Sequence, residues 1–277
     1  MKYFKIVIPN YNNGEWLEKC INSVLNQTFQ DFHIVIVDDK STDNSLEVIH
    51  KFIDNEDYYK KITVIPSDKK VFNGGARNMG IRTPIESKYT LFLDSDDWYD
   101  NETCLQTIYD TIQENNEPDC VSLSYYCLVG ENKWLQELER NTPEDLVKSL
   151  YVACWTKCIK TELIQEFPEN TLMEDVVQHI KQCDVLESIV SIKKPLIVWN
   201  RNNTSSCSRE ENQDCQKGKW KSSMYRYAAD LMDLELEKDY TEEHRAWREE
   251  VVLNNIKDGK YIQWHMQIYY ILTILTQ

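Results

Sequence analysis

Three carboxylates fall within four residues at Asp94-Ser95-Asp96-Asp97, straight after the apolar run of residues 89–93. Like charges this close repel one another unless a cation or hydrogen-bond donors offset them. A strand that delivers such a cluster at its carboxyl end can hold a divalent metal on oxygen ligands. The same residues also suit an acidic turn before a helix N-terminus. Two further polar strand ends lie upstream. Residues 4–9 form an apolar run that stops in Pro9-Asn10-Tyr11-Asn12-Asn13-Gly14, and residues 32–37 stop in Asp38-Asp39.

The elements that must position these ends are legible as apolar patterns. Residues 4–9, 32–37, 62–65 and 89–93 read as buried strands. Trp16, Leu17, Cys20, Ile21, Val24 and Leu25 recur at helical spacing, and Ser41, Thr42 and Asp43 are N-cap candidates for a helix through Phe52. Asn73-Gly74-Gly75-Ala76-Arg77-Asn78 opens another helix. Strand and helix alternate, which predicts a mostly parallel α/β sheet flanked by helices. Ligands in such sheets bind beyond the carboxyl ends of the strands, near a switch in strand order.

Downstream, residues 121–128 predict a strand and residues 134–165 a mixed, helical stretch. Met173-Glu174-Asp175 begins a helical pattern, and residues 189–192 and 196–199 read as two strands. Residues 208–277 change character. They are charged and helix-like, with Trp and Tyr at helical intervals, and predict a C-terminal helical appendage that serves acceptor binding or self-association.

The formal net charge of -15 disfavours non-specific attachment to nucleic acid or anionic lipid. Nine cysteines with no CxxC pair, and an N-terminus running directly into a strand, predict reduced thiols in a cytoplasmic protein, at most peripheral to a membrane. The longest late apolar stretch, residues 268–275, is too short to span a bilayer.

The motifs Ile6-Val7-Ile8-Pro9-Asn10-Tyr11-Asn12, Ser23-Val24-Leu25-Asn26-Gln27-Thr28, Val37-Asp38-Asp39-Lys40-Ser41-Thr42-Asp43, Gly75-Ala76-Arg77-Asn78-Met79-Gly80, Phe92-Leu93-Asp94-Ser95-Asp96-Asp97 and Glu174-Asp175 follow one another in this order. Together they resemble the family 2 glycosyltransferases, which have the Rossmann-like GT-A fold. Lys40 departs from the pattern, because the family often has Gly there. The resemblance implies a catalytic domain over residues 1–207, with a nucleotide-binding half of about 1–100 and an acceptor half of about 101–207. It implies inverting transfer of a sugar from a UDP-sugar to an acceptor hydroxyl, with Mn2+ or Mg2+ offsetting charge on the diphosphate leaving group.

Carried over residue by residue, the resemblance makes Asp96 a metal ligand and puts Asp94 on the ribose or beside the metal, with Ser95 between them in the donor loop. Asp97 is a ligand or only a support for the loop. Pro9 and Tyr11 cradle the uracil, Tyr11 by stacking. Asp39 accepts from the uracil N–H with Asp38 beside it, unless both merely cap the next helix. Arg77 contacts the diphosphate or donor sugar, or pairs with a nearby carboxylate. Asn73 and the Gly74-Gly75 turn present donors to the phosphates, while Lys69 and Lys70 read as surface. Asp175 is the candidate general base, kept ionised by the helix dipole; an acidic first helical turn is the bland alternative. Trp155 lines the acceptor pocket or fills the core. Near Asn200 and Arg201 no His offers a third metal ligand, so Asn200, Arg201 and Ser205 are left to contact the diphosphate.

Two competing readings remain. A sugar-1-phosphate nucleotidyltransferase would need a glycine- and basic-rich triphosphate loop after the first strand, which is missing. A catalytically inactive sugar-nucleotide-binding or assembly module is opposed by the intact Asp94, Asp96 and Asp175.

Overall fold

The computed structural model of the chain describes residues 1–148, 152–169 and 174–206. The expected appendage at 208–277 lies outside the described residues.

In the first half, β1 (Lys2–Asn10), α1 (Gly14–Leu25), β2 (Phe32–Asp38), α2 (Ser45–Ile53), β3 (Ile62–Pro66), α3 (Phe72–Arg82) and β4 (Ser87–Phe92) alternate as the apolar patterns require. The second half contributes β5 (Trp98–Tyr99), α4 (Cys104–Glu114), β6 (Cys120–Val129), β7 (Asn132–Gln136), α5 (Pro143–Lys148), β8 (Lys157–Lys160), α6 (Glu174–Cys183) and β9 (Ile189–Asn200). The nine strands of the described residues form one sheet in the order β3-β2-β1-β4-β8-β6-β9-β5, with β7 paired to β6.

Every residue of β2 is buried. A strand covered on both faces cannot alternate apolar with polar, so it reads as the continuous run Phe-His-Ile-Val-Ile-Val. The one polar side chain in that run, His33, is paired at 2.8 Å with Thr63 of the neighbouring strand. On α1, Leu17, Cys20, Ile21, Val24 and Leu25 form one buried stripe against the sheet. The N-cap of α2 is Asn44, one residue beyond the three candidates, and Asp43 supplies a side-chain acceptor just before it. Asp43 Oδ1 accepts from Ser45 N (3.0 Å) and its Oδ2 from Gly14 N (2.9 Å), so one carboxylate ties the starts of α1 and α2 together.

β1 pairs in parallel with β2 on one side and β4 on the other. The chain runs outward through β2 and β3, then returns across β1 to β4. This is a switch in strand order, and it opens a crevice beyond the carboxyl ends of β1 and β4. The parallel pairs predicted from strand–helix alternation hold for β3-β2-β1-β4. The second half is mixed: β8 enters antiparallel between β4 and β6, while β6 and β9 run parallel.

Two local expectations need correction. The helical reading of 134–165 gives way to β7, a short α5 and β8. In Lys157–Lys160 three consecutive residues are buried, Lys157 among them, so no apolar–polar alternation marks the strand. Residues 189–192 and 196–199 are not separate strands but one, β9. Its register on β6 slips between Leu123/Ile192 and Tyr125/Ile197, and this irregularity accommodates Pro195, which cannot donate to the ladder. Helix α4 was not anticipated, although its buried Cys104, Leu105, Ile108 and Ile112 lie on one helical face.

Among the described residues no helix is long and apolar enough to cross a membrane, and seven cysteines there are free thiols.

Candidate active site

Register brings the three polar strand ends side by side. Asn10 at the end of β1 faces Asp38 at the end of β2, and Val7 faces Phe92 near the end of β4. The loops carrying Tyr11, Asp38-Asp39 and Asp94–Asp97 therefore rim one crevice.

Asp38 is buried and organises its own turn. It accepts from Asn10 Nδ2 (2.8 Å), Ser41 Oγ (2.6 Å) and Ser41 N (3.0 Å). Asp39 reaches across to a different helix from the one expected. Its Oδ1 accepts from Ser67 Oγ (3.0 Å) and Val71 N (2.8 Å), and its Oδ2 from Phe72 N (2.9 Å), so it caps the start of α3 instead of α2. Lys70 is not simply a surface residue. Its Nζ lies 3.0 Å from Asp39 Oδ2 and 2.6 Å from the Tyr11 ring centroid. Pro9 pairs with Val37 inside the sheet, and Tyr11 is 44% exposed at the crevice mouth. Lys40, the departure from the family pattern, has φ +59°, a left-handed conformation that glycine adopts freely and a lysine holds at about 1–2 kcal/mol.

Arg77 is the hub of the site. The side chain is buried, and its guanidinium serves three carboxylates. Nη2 donates to Asp94 Oδ1 (2.6 Å), while Nη1 donates to Glu174 Oε1 (2.6 Å) and Asp175 Oδ1 (3.2 Å). Of the two roles open to this residue, ion pairing is the one seen, with three partners instead of one. Gly74 permits the approach: a Cβ there would collide with the Pro168 carbonyl and crowd Glu174 at 3.3 Å. Neither Gly74 nor Gly75 forms a turn. Both sit in the first turns of α3, with Asn73 exposed beside them. The backbone N–H groups of such a first turn have no partner inside the helix.

Removing the guanidinium strands three carboxylates at low exposure. Arg77→Met is therefore expected to destabilise the protein by roughly 3–5 kcal/mol, the cost of breaking a buried pair from one side. Denaturant melts of the variant check this, and a change below about 1 kcal/mol would remove Arg77 as the hub.

The acidic cluster divides its labour. Asp97 is buried, and its Oδ1 accepts from Asn200 N (2.8 Å), pinning the end of β9. Ser95 is also buried, and its hydroxyl accepts from Asn13 Nδ2 (2.8 Å). Asp94 and Asp96 stay partly exposed. Asp96 Oδ2 accepts from Asn203 Nδ2 (2.8 Å), which also donates to Asn13 Oδ1 (3.0 Å). Asn203 went unnoticed in the sequence because its only signal is the Asn-rich run after β9. Its neighbour Asn202 locks the loop onto Gly130 through Gly130 N (2.6 Å) and Gly130 O (3.0 Å). Arg201 lies 4.6 Å from the Trp199 ring, and Ser205 N donates to Asn203 Oδ1 (2.9 Å).

Burial and the neighbouring Asp94 charge push Asp96 up to about 6, against the Asn203 hydrogen bond, and burial with the Asp96 charge drives Asp97 well above the carboxylate range. Arg77 takes one oxygen of Asp94, and repulsion remains among the rest. Among the described residues no three or more His, Cys, Asp or Glu side chains form a metal-holding group. Asp94 and Asp96 nevertheless fit a hard divalent cation: two carboxylates suffice where substrate phosphates complete the coordination.

At the head of α6, Asp175 is partly exposed and Glu174 is buried. Burial raises Asp175 while Arg77 opposes it; burial and the Asp175 charge push Glu174 up to about 7. For Asp175 this is opposite in sign to the helix-dipole effect expected from sequence, because desolvation outweighs it. His179 lies away from the acidic cluster, its Nδ1 3.0 Å from Lys157 Nζ and its Nε2 2.9 Å from Leu146 O. Trp155 is buried, edge-on to Tyr125 at 4.8 Å and part of the main core.

Over residues 5–189 the sequence matches the family described as Glycosyl transferase family 2, and the chain belongs to that family. Glycosyltransferase GlyG of Streptococcus pneumoniae serotype 4 is 36% identical over 121 residues, which are 44% of this chain and 38% of GlyG. The chain thus matches well under half of that relative's length. The crystal structure of Staphylococcus aureus TarS 1-349 in complex with UDP-GlcNAc superposes with a TM-score of 0.65 at 22% identity, covering 91% of this chain and 72% of that one. Mannosyltransferase PcManGT from Pyrobaculum calidifontis, solved with GDP-Man and Mn2+, superposes with a TM-score of 0.59 at 12% identity, covering 98% of this chain and 74% of that one. The fold is that of the GT-A glycosyltransferases.

Proposed function

We propose that this chain transfers a sugar, with inversion, from a UDP-sugar to an acceptor hydroxyl, using Mn2+ or Mg2+ held by Asp94 and Asp96. The observation that carries this reading is the Arg77 hub. One buried guanidinium links the carboxylates at the end of β4 to those at the head of α6, so donor-side and acceptor-side acids border a single crevice. The UDP-GlcNAc complex of TarS, which shares the fold, supports a UDP-linked donor.

In this reading Pro9 and Tyr11 hold the uracil, and Asp39 accepts its N–H from a loop that Asp38 keeps in shape. Asn73 and the first-turn N–H groups of α3 after Phe72, whose own N–H is held by Asp39, bind the phosphates. Ser95 keeps the acidic loop against Asn13. Arg77 orients Asp94 and Asp175 and does not touch the donor. Asp175 takes the proton of the acceptor hydroxyl as that oxygen attacks the anomeric carbon and the bond to the diphosphate breaks. A divalent cation, when bound, offsets the charge on the departing nucleoside diphosphate. The nucleotide-sugar pool is consistent with a cytoplasmic site of action, and residues 208–277 are proposed to serve the acceptor or self-association.

The test is a panel of nucleotide sugars, each assayed for UDP release with and without Mn2+. Release that needs both a particular UDP-sugar and the metal supports the reading. UDP binding with no turnover across donors and acceptors would favour an inactive sugar-nucleotide-binding module.

The raised Asp96 also gives a sign for pH. A carboxyl held higher in the folded protein than its ordinary 3.8 stabilises the fold below that value, and this contribution is lost as pH rises through about 6. Cation binding needs the ionised form. The rise in Tm caused by Mn2+ or Mg2+ is therefore expected to be large well above pH 6 and small well below it. Thermal melts at both extremes check this, and an equal rise at both would separate Asp96 from the metal.

A further inference from the structure

Lys70 lies against both groups proposed to hold the nucleobase. Its ammonium nitrogen is 2.6 Å from the centroid of the Tyr11 ring and 3.0 Å from Asp39 Oδ2. These are the two groups assigned above to stacking on uracil and accepting its N–H, so the inference rests on that reading. One face of a ring cannot hold an ammonium and a stacked base together. Asp39 is likewise committed. Its other donors are Ser67 Oγ, Val71 N and Phe72 N, a buried hydroxyl and two backbone groups that cannot leave without moving the chain. Lys70 alone among them is a long, partly exposed side chain, 34% accessible against 4% for Asp39.

We propose that Lys70 occupies the nucleobase subsite of the ligand-free protein and that the base must displace it, so this lysine lowers affinity for the nucleoside. The ammonium is a compact cation that pairs with Asp39 and lies on the Tyr11 face by cation–π attraction. Entry of uracil exchanges the contacts of Lys70 Nζ with the Asp39 carboxylate, the Asp39 carbonyl (3.4 Å) and the Tyr11 face for a stacked ring and an N–H donor on the same carboxylate oxygen. Asp39 then keeps its three hydrogen bonds from Ser67, Val71 and Phe72. The charged groups around the exchange are Lys40, whose Nζ bonds Asp68 O (3.2 Å), and exposed Asp68 and Lys69.

Ligand-observed NMR titrations of uridine and of UDP, on wild type, Lys70→Ala and Lys70→Arg, test the proposal. Lys70→Ala bares the ring and frees Asp39, and should tighten both uridine and UDP by about three- to tenfold. Lys70→Arg keeps a cation that stacks on the ring, and should bind no tighter than wild type. Wild-type affinity for uridine should rise with ionic strength as the Lys70–Asp39 pair is screened, which needs no variant at all. Unchanged or weaker uridine binding in Lys70→Ala, or wild-type binding indifferent to salt, overturns the proposal while UDP binding keeps the nucleotide reading. Absence of both uridine and UDP binding in every protein overturns the nucleotide reading and this proposal with it. Loss of UDP binding alone in Lys70→Ala would make Lys70 a phosphate contact, which also overturns it.

Discussion

Replacing Asp96 with alanine is expected to abolish sugar transfer and metal-dependent donor binding while the protein stays folded. The carboxylate lies in a loop and, among the described residues, makes one side-chain hydrogen bond, from Asn203, so few contacts are lost. Its ionised form is disfavoured by burial and by Asp94, so removing it relieves repulsion. The Tm of the metal-free variant should therefore equal or exceed that of wild type near neutral pH. Activity behaves oppositely, because loss of a metal ligand removes several kcal/mol of charge stabilisation, about a thousandfold in rate. Isothermal titration of UDP with and without Mn2+, alongside a transfer assay, checks both halves. Retention of more than about a tenth of the wild-type rate would exclude Asp96 as a ligand.

Asp175→Asn is expected to lower kcat by about two to four orders of magnitude with UDP and Mn2+ affinity near wild type. Asparagine keeps the size of the side chain and the Oδ1 acceptor that faces Arg77, but it has no basicity. Glu174 still pairs with the guanidinium at 2.6 Å, so the hub survives the change. In the wild-type enzyme burial raises Asp175, and the acidic limb of the kcat profile should lie above the ordinary carboxylate value of 3.8. Activity rises with pH through that limb, because only the ionised form accepts a proton. A collapse of donor affinity with kcat intact would make Asp175 a binding residue and send the search for a base elsewhere.

The sequence alone determined the elements whose burial imposes a period and the polar strand ends between them. The buried run of β2 and the helical stripe of Leu17, Cys20, Ile21 and Val24 could be read directly, because desolvation acts on each residue through its local spacing. The acidic cluster after β4 was visible for the same reason, as charges where an apolar pattern stops, and the Glu174-Asp175 pair through its resemblance to the family's acidic pair. What lies across the fold was decided only by tertiary structure. Asp39 could be expected to cap the adjacent helix, but it caps α3 because strand pairing brings residues 67–72 beside it. Arg77 could be given one carboxylate or a phosphate; it has three carboxylates because α6, 97 residues further on, packs against α3 at Gly74. Lys70 and Asn203 had no specific signature, since a lysine pair or an Asn-rich run in a loop is compatible with any surface. Their partners, Tyr11 and Asp96, are distant in sequence and meet them only once the sheet has closed the crevice.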